Sequence, residues 1–373
     1  QAADPPRPAP RTPARIRHGR NLGRVQPDPG RHPAMTTATT AAGQLGHAEV
    51  TEAVLLACRA PSIHNTQPWR WQLRGGVLEL RADRSRQLAV ADRDGHSLMV
   101  SCGAAVSLTE LGLRTHGWTV SIERLPDPAE PDLLARFTGV TRTAAMPADL
   151  KRVAAARARR SERRPFAAGT VSSDQIEMLR AATVAPDAYV HFAVRPAEIL
   201  GLAVTVSHAD RVERGDPEYL AETARWVHPD GLMEGETDGV PAASVPRLPL
   251  GSPRHTDVPV RDFELGVRGA QLIAPGIDEK PLLAVVFTTG DRPVDELLAG
   301  EAMMRLMLEA ELLGLASCPL SQAVDMAAFR SRLKAMMDWP SYPQMMLRLG
   351  PRPIAPPAPL TRRRPIHQIL AVT

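Results

Sequence analysis

Cysteine is scarce in this chain. Three stand among 373 residues, Cys58, Cys102 and Cys318, far apart and without a CxxC pair. That spacing supports neither a zinc site nor a disulfide framework, so buried thiols in a reducing cytoplasm are expected. There is no apolar run of 18 residues, so no membrane-spanning helix is expected. Four common signatures are missing: GxGxxG after a strand, GxxxxGK[ST], HExxH and GxSxG. Their absence removes the usual dinucleotide, nucleotide, metalloprotease and hydrolase motifs.

An excess of positive charge is missing too, once its location is noticed. The first 34 residues hold eight prolines and seven arginines, with Asp4 and Asp28 the only acids. They contain no apolar run for a signal peptide and read as disordered, with Met35 a plausible true start. Removing seven basic and two acidic residues from totals of 45 and 41 leaves 38 against 39, a net of −1. The pI of about 9.3 therefore comes from the tail, and no nucleic-acid partner is expected. The whole chain is 43% hydrophobic and 23% charged, a globular composition long enough for two ordinary domains.

Against this plain background RAPSIHNTQPWRW (59–71) stands out. A helical stretch, VTEAVLLAC (50–58), gives way to a proline loop carrying Ser62, His64, Asn65 and Gln67 before Trp69 and Trp71. Such density of side-chain hydrogen-bonders beside bulky aromatics suits the edge of a flat polar ligand, with Pro61 and the tryptophans shaping walls. An ordinary turn capped by core tryptophans is the alternative. The alternation of Trp69 and Trp71 with Arg70 and Gln72 is a strand pattern that buries both rings. His64 stands as either a structural turn histidine or a site residue.

Two segments share a frame. SCGAAVSLTELGLRTHGWTVSI and LAGEAMMRLMLEAELLGLASCPL each read as a helical run opened by one glycine (Gly103, Gly300) and closed by another (Gly117, Gly314). Alanine follows the first glycine by two residues and leucine by eight in both. Small apolar residues predict that both helices are buried, and PLLAVVFTTG (281–290) reads as a buried strand. Upstream, SSDQIEMLRAATVAPDAYVHFAV (172–194) repeats helix, proline loop, strand, with Pro186 in the place of Pro61 but no polar side chains. A symmetric dimer fused into one chain would produce this repeat.

The second half has its own asset. RRSERRPF (159–166) packs four arginines around Ser161, suited to a phosphate, or else a solvated basic face near a helix end. Each half thus carries half of a site, which implies one composite site per chain.

Together these motifs resemble the nitroreductase superfamily, and their placement in opposite halves resembles its Acg branch. The resemblance covers roughly residues 47–371 and implies an α+β, nitroreductase-like fold. Two tandem units, 47–150 and 151–371, would form an intramolecular pseudo-dimer, so a monomer is expected. It implies FMN as cofactor, NAD(P)H as possible electron donor and no metal. Arg159, Arg160 and Ser161 would meet the FMN phosphate and ribityl chain, and Arg163 the N1/O2 edge where reduction gathers negative charge. Pro61, Ser62, His64, Asn65 and Gln67 would lie against the ring. In CPLSQ, Pro319, Leu320, Ser321 and Gln322 would face N5 and O4, with Ser321 and Gln322 replacing the family's acidic-glycine pair. In TRRRPIHQIL, Arg362 and Arg364 would add phosphate contacts. An insertion at about 208–262, starting as a helix and becoming rich in Pro and Gly around Asp230–Gly231, would form a lid.

The expected function is a cytoplasmic FMN oxidoreductase reducing a nitroaromatic, quinone or other small acceptor, with flavin N5 and no protein residue carrying the chemistry. The alternative is an FMN-storage protein whose lid blocks turnover.

Overall fold

The computed structural model describes residues 43–183, 185, 187–228, 237–241, 279–336, 340–354, 356–357 and 360–373. The N-terminal 34 residues, Met35, Pro186, Asp230–Gly231 and much of the 208–262 insertion lie outside the described residues.

Two four-stranded antiparallel sets carry the repeat. The first half runs α1 (His47–Ala57), β1 (Trp69–Arg74), β2 (Val77–Ala82), α2 (His96–Thr115), β3 (Trp118–Arg124) and β4 (Leu133–Arg142). After α3 (Pro147–Ala158) the second half gives α4 (Ser173–Ala182), β5 (Ala188–Ala193), α5 (Pro196–Gly215), α6 (Pro217–Arg225), β6 (Val227–His228) and β7 (Val240–Pro241). It continues with β8 (Leu282–Thr288), α7 (Pro293–Leu312), β9 (Leu315–Leu320), α8 (Gln322–Asp325), α9 (Ala327–Met336) and β10 (Tyr342–Pro351). The chain ends in α10 (Ile366–Ile369) and β11 (Leu370–Val372).

Both sheets have the same order: β1-β2-β4-β3 and β5-β8-β10-β9. In each, a 20-residue helix joins the second strand to the third (α2, α7), and all neighbours within these four-strand sets are antiparallel. The architecture is the expected α+β pair of tandem units, and one continuous core runs through both.

The two long helices meet at their glycines. A Cβ on Gly103 would stand 2.0 Å from the Leu297 carbonyl oxygen, and one on Gly300 would stand 2.0 Å from that of Val100. Each glycine therefore meets the carbonyl three residues before the other. That reciprocity marks an isologous, two-fold contact, as in a symmetric dimer. It also corrects the sequence reading: Gly103 and Gly300 lie one to two turns inside helices that begin at His96 and Pro293. Close backbone approach, not a helix start, is what requires glycine there. Gly117 and Gly314, at φ +82° and +75°, do follow the helix ends as left-handed residues.

Strand alternation buries Trp69 and Trp71 as expected, and β8 is buried at all seven positions. Two boundaries differ from the sequence reading. β11 pairs parallel to β1, with Trp71 opposite Leu370, so the chain end completes the first sheet instead of the second unit. Three-residue edge strands are set by main-chain pairing and leave little side-chain pattern. Helix α5 begins at Pro196, well before the insertion boundary placed at 208. No described helix is long and apolar enough to cross a membrane.

Candidate functional site

Residues 159–166 follow α3 as an extended segment, tied to β9 by a bridge between Ser161 and Ser317 and by the Glu162 amide donating to the Ser317 carbonyl (2.9 Å). Extended chain sends successive side chains to opposite sides. Arg159 and Arg160 both line a cleft; from Ser161 on this alternation holds, with Ser161 and Arg163 facing that cleft while Glu162, Arg164 and Phe166 turn into the protein. There Arg164 pairs with Glu162 at 2.5 Å, and Arg348 binds Glu279 at 2.8 Å with its guanidinium 4.1 Å from the Phe166 ring centre. The motif is thus half cleft wall and half buried anchor. The anchoring role of Glu162 and Arg164 leaves no mark in the sequence, where every arginine in the run looks alike.

The opposite wall is the loop after α1. His64, Asn65 and Gln67 all have positive φ (45°, 57° and 51°), a conformation costly for side-chain-bearing residues. The Ser62 hydroxyl accepts the Gln67 amide (3.0 Å), and the Ser101 hydroxyl of α2 accepts the Ile63 amide (3.2 Å). Three of the four described non-glycine residues with positive φ fall in this loop. Backbone strain gathers where surrounding contacts fix an unusual shape, often at ligand sites.

Between these walls lies one cleft with two rooms. The first spans about 650 Å³, open mouth included. Pro61, Ser62, Ile63 and His64 line it from the loop; Ser97, Val100 and Ser101 from α2; Met303 from α7; and Met345 from β10. Cys318, Pro319, Leu320, Ser321 and Gln322 complete it from β9 and the start of α8. The second room is basic, lined by Arg59, Arg159, Arg160, Arg163 and Arg363 with Asn65, Val240, Leu360 and Thr361. Pro61, Ser62, Ser161 and Arg163 belong to both rooms. No carboxylate lines either one among the described residues.

The basic room is electrostatically unbalanced. Burial, then the neighbouring Arg59 cation, lowers the Arg159 pKa to about 10. Burial, then Arg159 and Arg59, lowers that of Arg363 to about 9. Arg59 is lowered by burial and by Arg160. Arg159 is 5% exposed; its Nη2 donates to the Arg59 carbonyl (2.8 Å), but its Nε and Nη1 have no acceptor. In the first room the buried Gln322 Nε2 likewise has none. Buried donors without acceptors cost stability, and an anion among these guanidiniums would relieve both the repulsion and the missing bonds.

Most of the candidate residues come together here. Three do not line the cleft. Gln67 is fully buried and bonded to other chain segments. Arg364 points into the protein, within 3.4 Å of Asp83. Arg362 lines neither room, and its carbonyl accepts from Asn65 Nδ2 at 3.4 Å. Arg363, between them, is the member of TRRR that faces the room. In an extended run the middle arginine points opposite to its neighbours, and the sequence alone does not tell which side faces inward. The tryptophans also stay in the core and line neither room. Arg59, directly ahead of the proline loop, is absent from the sequence candidates, although its adjacency to that loop is a usable signal.

No protein-family model matches the chain. It is 35% identical over 327 residues to a Mycobacterium tuberculosis protein named "Putative NAD(P)H nitroreductase", a match spanning 87% of this chain and 91% of the relative. It is 29% identical over 326 residues to the M. tuberculosis "Putative NAD(P)H nitroreductase acg", spanning 87% and 95%. Among solved structures, an FMN-bound nitroreductase from Bacteroides fragilis is 14% identical, covering 57% of this chain and 94% of that one, with a TM-score of 0.34. With relatedness sustained over nearly the whole of its M. tuberculosis relatives, the chain belongs to the nitroreductase superfamily, in its Acg-type branch.

Proposed function

We propose that the chain is an oxidoreductase that holds one FMN in this cleft and passes electrons from NAD(P)H to a nitroaromatic, quinone or other small acceptor. The observation that carries the proposal is the junction of an apolar room to a five-arginine room through Pro61, Ser62, Ser161 and Arg163. An isoalloxazine ring with a ribityl phosphate has that same division of character. The relatives' names give NAD(P)H as electron donor and nitro compounds as acceptors.

The residues fit the group. The acceptor-free Nε and Nη1 of Arg159, with Arg160, Arg363 and Arg59, would hold the phosphate. Pro61, Ser62 and His64 would lie along the ring from one side. Pro319, Leu320, Ser321 and Gln322 would lie along it from the other, with Gln322 Nε2 a donor to its polar edge. Arg163, common to both rooms, would hold a fixed cation beside the ring, where negative charge develops on reduction. Bound FMN supplies the electron chemistry, so no protein nucleophile is required. Met303, Met345 and Val100 exclude water from the first room.

The test is purification of the full chain and a count of flavin per chain, followed by anaerobic mixing with NADH and NADPH in turn while the flavin's visible absorbance is followed. One FMN per chain, bleached by a nicotinamide, is expected. Two flavins per chain, or a haem or metal spectrum, would overturn the composite site. Flavin that neither nicotinamide reduces would leave a binding protein in place of an enzyme.

A further inference from the structure

Gln67 lines neither room, yet three chain segments meet on its side chain. Its Nε2 donates to the Thr237 carbonyl (2.8 Å) and to the Asn65 carbonyl (3.2 Å). Its Oε1 accepts the Arg364 amide (2.8 Å). Asn65 reaches the same two distant segments, donating from Nδ2 to the Gly239 carbonyl (3.1 Å) and more weakly to that of Arg362 (3.4 Å). Each segment supplies wall to the basic room: Val240 from the first, Thr361 and Arg363 from the second.

Beyond these bonds, β7 pairs with β6, and the Val240 amide donates to the Trp226 carbonyl (2.7 Å). Asp238 pairs with Arg86, and Val240 packs apart from the main core against Val227. The loop, for its part, keeps Asn65 and Gln67 at positive φ, which costs on the order of 1 kcal/mol or more per residue and persists only under external restraint. Strained loop and docked segments therefore sustain one another.

We infer that Gln67 is a positioning residue that couples the insertion to the phosphate end of the cleft. With its amide bonded, residues 237–241 and the C-terminal arm close around the basic room. Without it both walls loosen together. The identity of the bound anion rests on the proposed FMN function; the coupling of the two segments does not. Linkage makes the effect reciprocal: a bound anion slows release of 237–241, and docked 237–241 slows release of the anion. Glutamine suits the position because it offers a donor and an acceptor from one planar group. Glutamate keeps the acceptor for the Arg364 amide but sets a carboxylate against the Thr237 carbonyl. Methionine keeps the bulk and offers neither.

Hydrogen exchange on the full chain, with and without FMN, tests this in Gln67→Glu and Gln67→Met. In ligand-free protein, exchange across 237–241 should rise about tenfold in both variants, and across 361–364 in the methionine variant alone. FMN should slow exchange of both segments in the wild type. FMN should also leave Gln67→Met about tenfold faster than wild type, while riboflavin, lacking the phosphate, changes far less. Unchanged exchange at 237–241 in Gln67→Glu would overturn the latch. Equal acceleration of FMN and riboflavin release would overturn its coupling to the phosphate end. Should the wild type bind no FMN, the proposed function falls, and the ligand-free exchange still decides the latch by itself.

Discussion

Ser321 and Arg124 stand 197 residues apart, the same spacing that relates Gly103 to Gly300, and so occupy matching places in the two halves. Each follows or ends the third strand of its unit, β9 or β3. Ser321 borders an open cleft. Arg124 instead lays two nitrogens on the Glu301 carboxylate of α7, at 2.6 and 2.8 Å, with Glu301 only 1% exposed. Leu125, matching Gln322, is turned to φ +47° and packs against the core. One side of the two-fold helix contact carries a cleft, and at the matching place on the other side stands an ion pair. Symmetry supplies the framework, and the side chains at its matching places differ.

The framework itself should be the easiest thing to break. Gly300→Leu would drive a side chain into the Val100 carbonyl, where even a Cβ lies at 2.0 Å. Overpacking of this kind costs about 3 kcal/mol or more when backbone must move. Loss of soluble protein, or a melting temperature lowered by roughly 6 °C or more, is expected. Normal melting would mean that the two helices do not meet at their glycines.

The ion-paired side comes next. Glu301→Ala strands Arg124, a quarter exposed, beside an apolar interface. Removing one partner from a buried pair costs about 3–5 kcal/mol, and partial solvation of the arginine reduces that to about 2–3. Melting should fall while FMN affinity stays within about twofold, because Glu301 touches neither room. If flavin binding collapses with stability, the two sides are not independent.

On the open side, Arg159→Ala with Arg160→Ala should weaken FMN at least about tenfold and riboflavin much less. Each lost charged hydrogen bond is worth about 1.5–3 kcal/mol. Equal losses for the two ligands would put the phosphate elsewhere.

Much of this contrast is legible in the residues alone. Helix periodicity, the buried β8 pattern and the alternation of Trp69 and Trp71 are local properties, and they predict elements of the right kind. The polar loop and RRSERR point to facing walls because each concentrates unusual chemistry in few residues. Direction is harder. Gln67 reads as a ligand contact because its chemistry fits one, but its partners lie at Thr237 and Arg364, far away in sequence. Arg363 hides between Arg362 and Arg364 because three like residues in a row carry no orientation signal. The Arg124–Glu301 pair, spanning 177 positions, has no local trace at all.

The smallest effect concerns how the two long helices begin. Helix α7 opens with Asp295, buried but bonded to the amide and guanidinium of the exposed Arg292. Helix α2 opens with Asp92, fully buried, accepting the Ser97 and Leu98 amides at 2.8 Å each. Burial, and then the nearby Asp325 carboxylate, pushes the Asp92 pKa from 3.8 up to about 7. Next to it His96 is also held above its ordinary 6.5: burial opposes its charge, but the Glu296 carboxylate and the Gln344 carbonyl outweigh it. The signs agree. The folded state binds the Asp92 proton more tightly than the unfolded chain, so stability falls as pH rises from about 4 to about 7. The His96 contribution is full below its unfolded value and fades as pH rises through its folded one. Carboxylates held low, such as Asp83, act the other way but only below about pH 5. Ligand-free protein should therefore melt about 2–4 °C lower at pH 8 than at pH 5.5, a loss on the order of 1–2 kcal/mol. Asp92→Asn, which keeps the shape and one acceptor, should remove part of that slope. Glu296→Gln should remove a different part, by taking away the partner of His96. A melting temperature that is flat or rising over this interval would mean that Asp92 stays ionised in the fold.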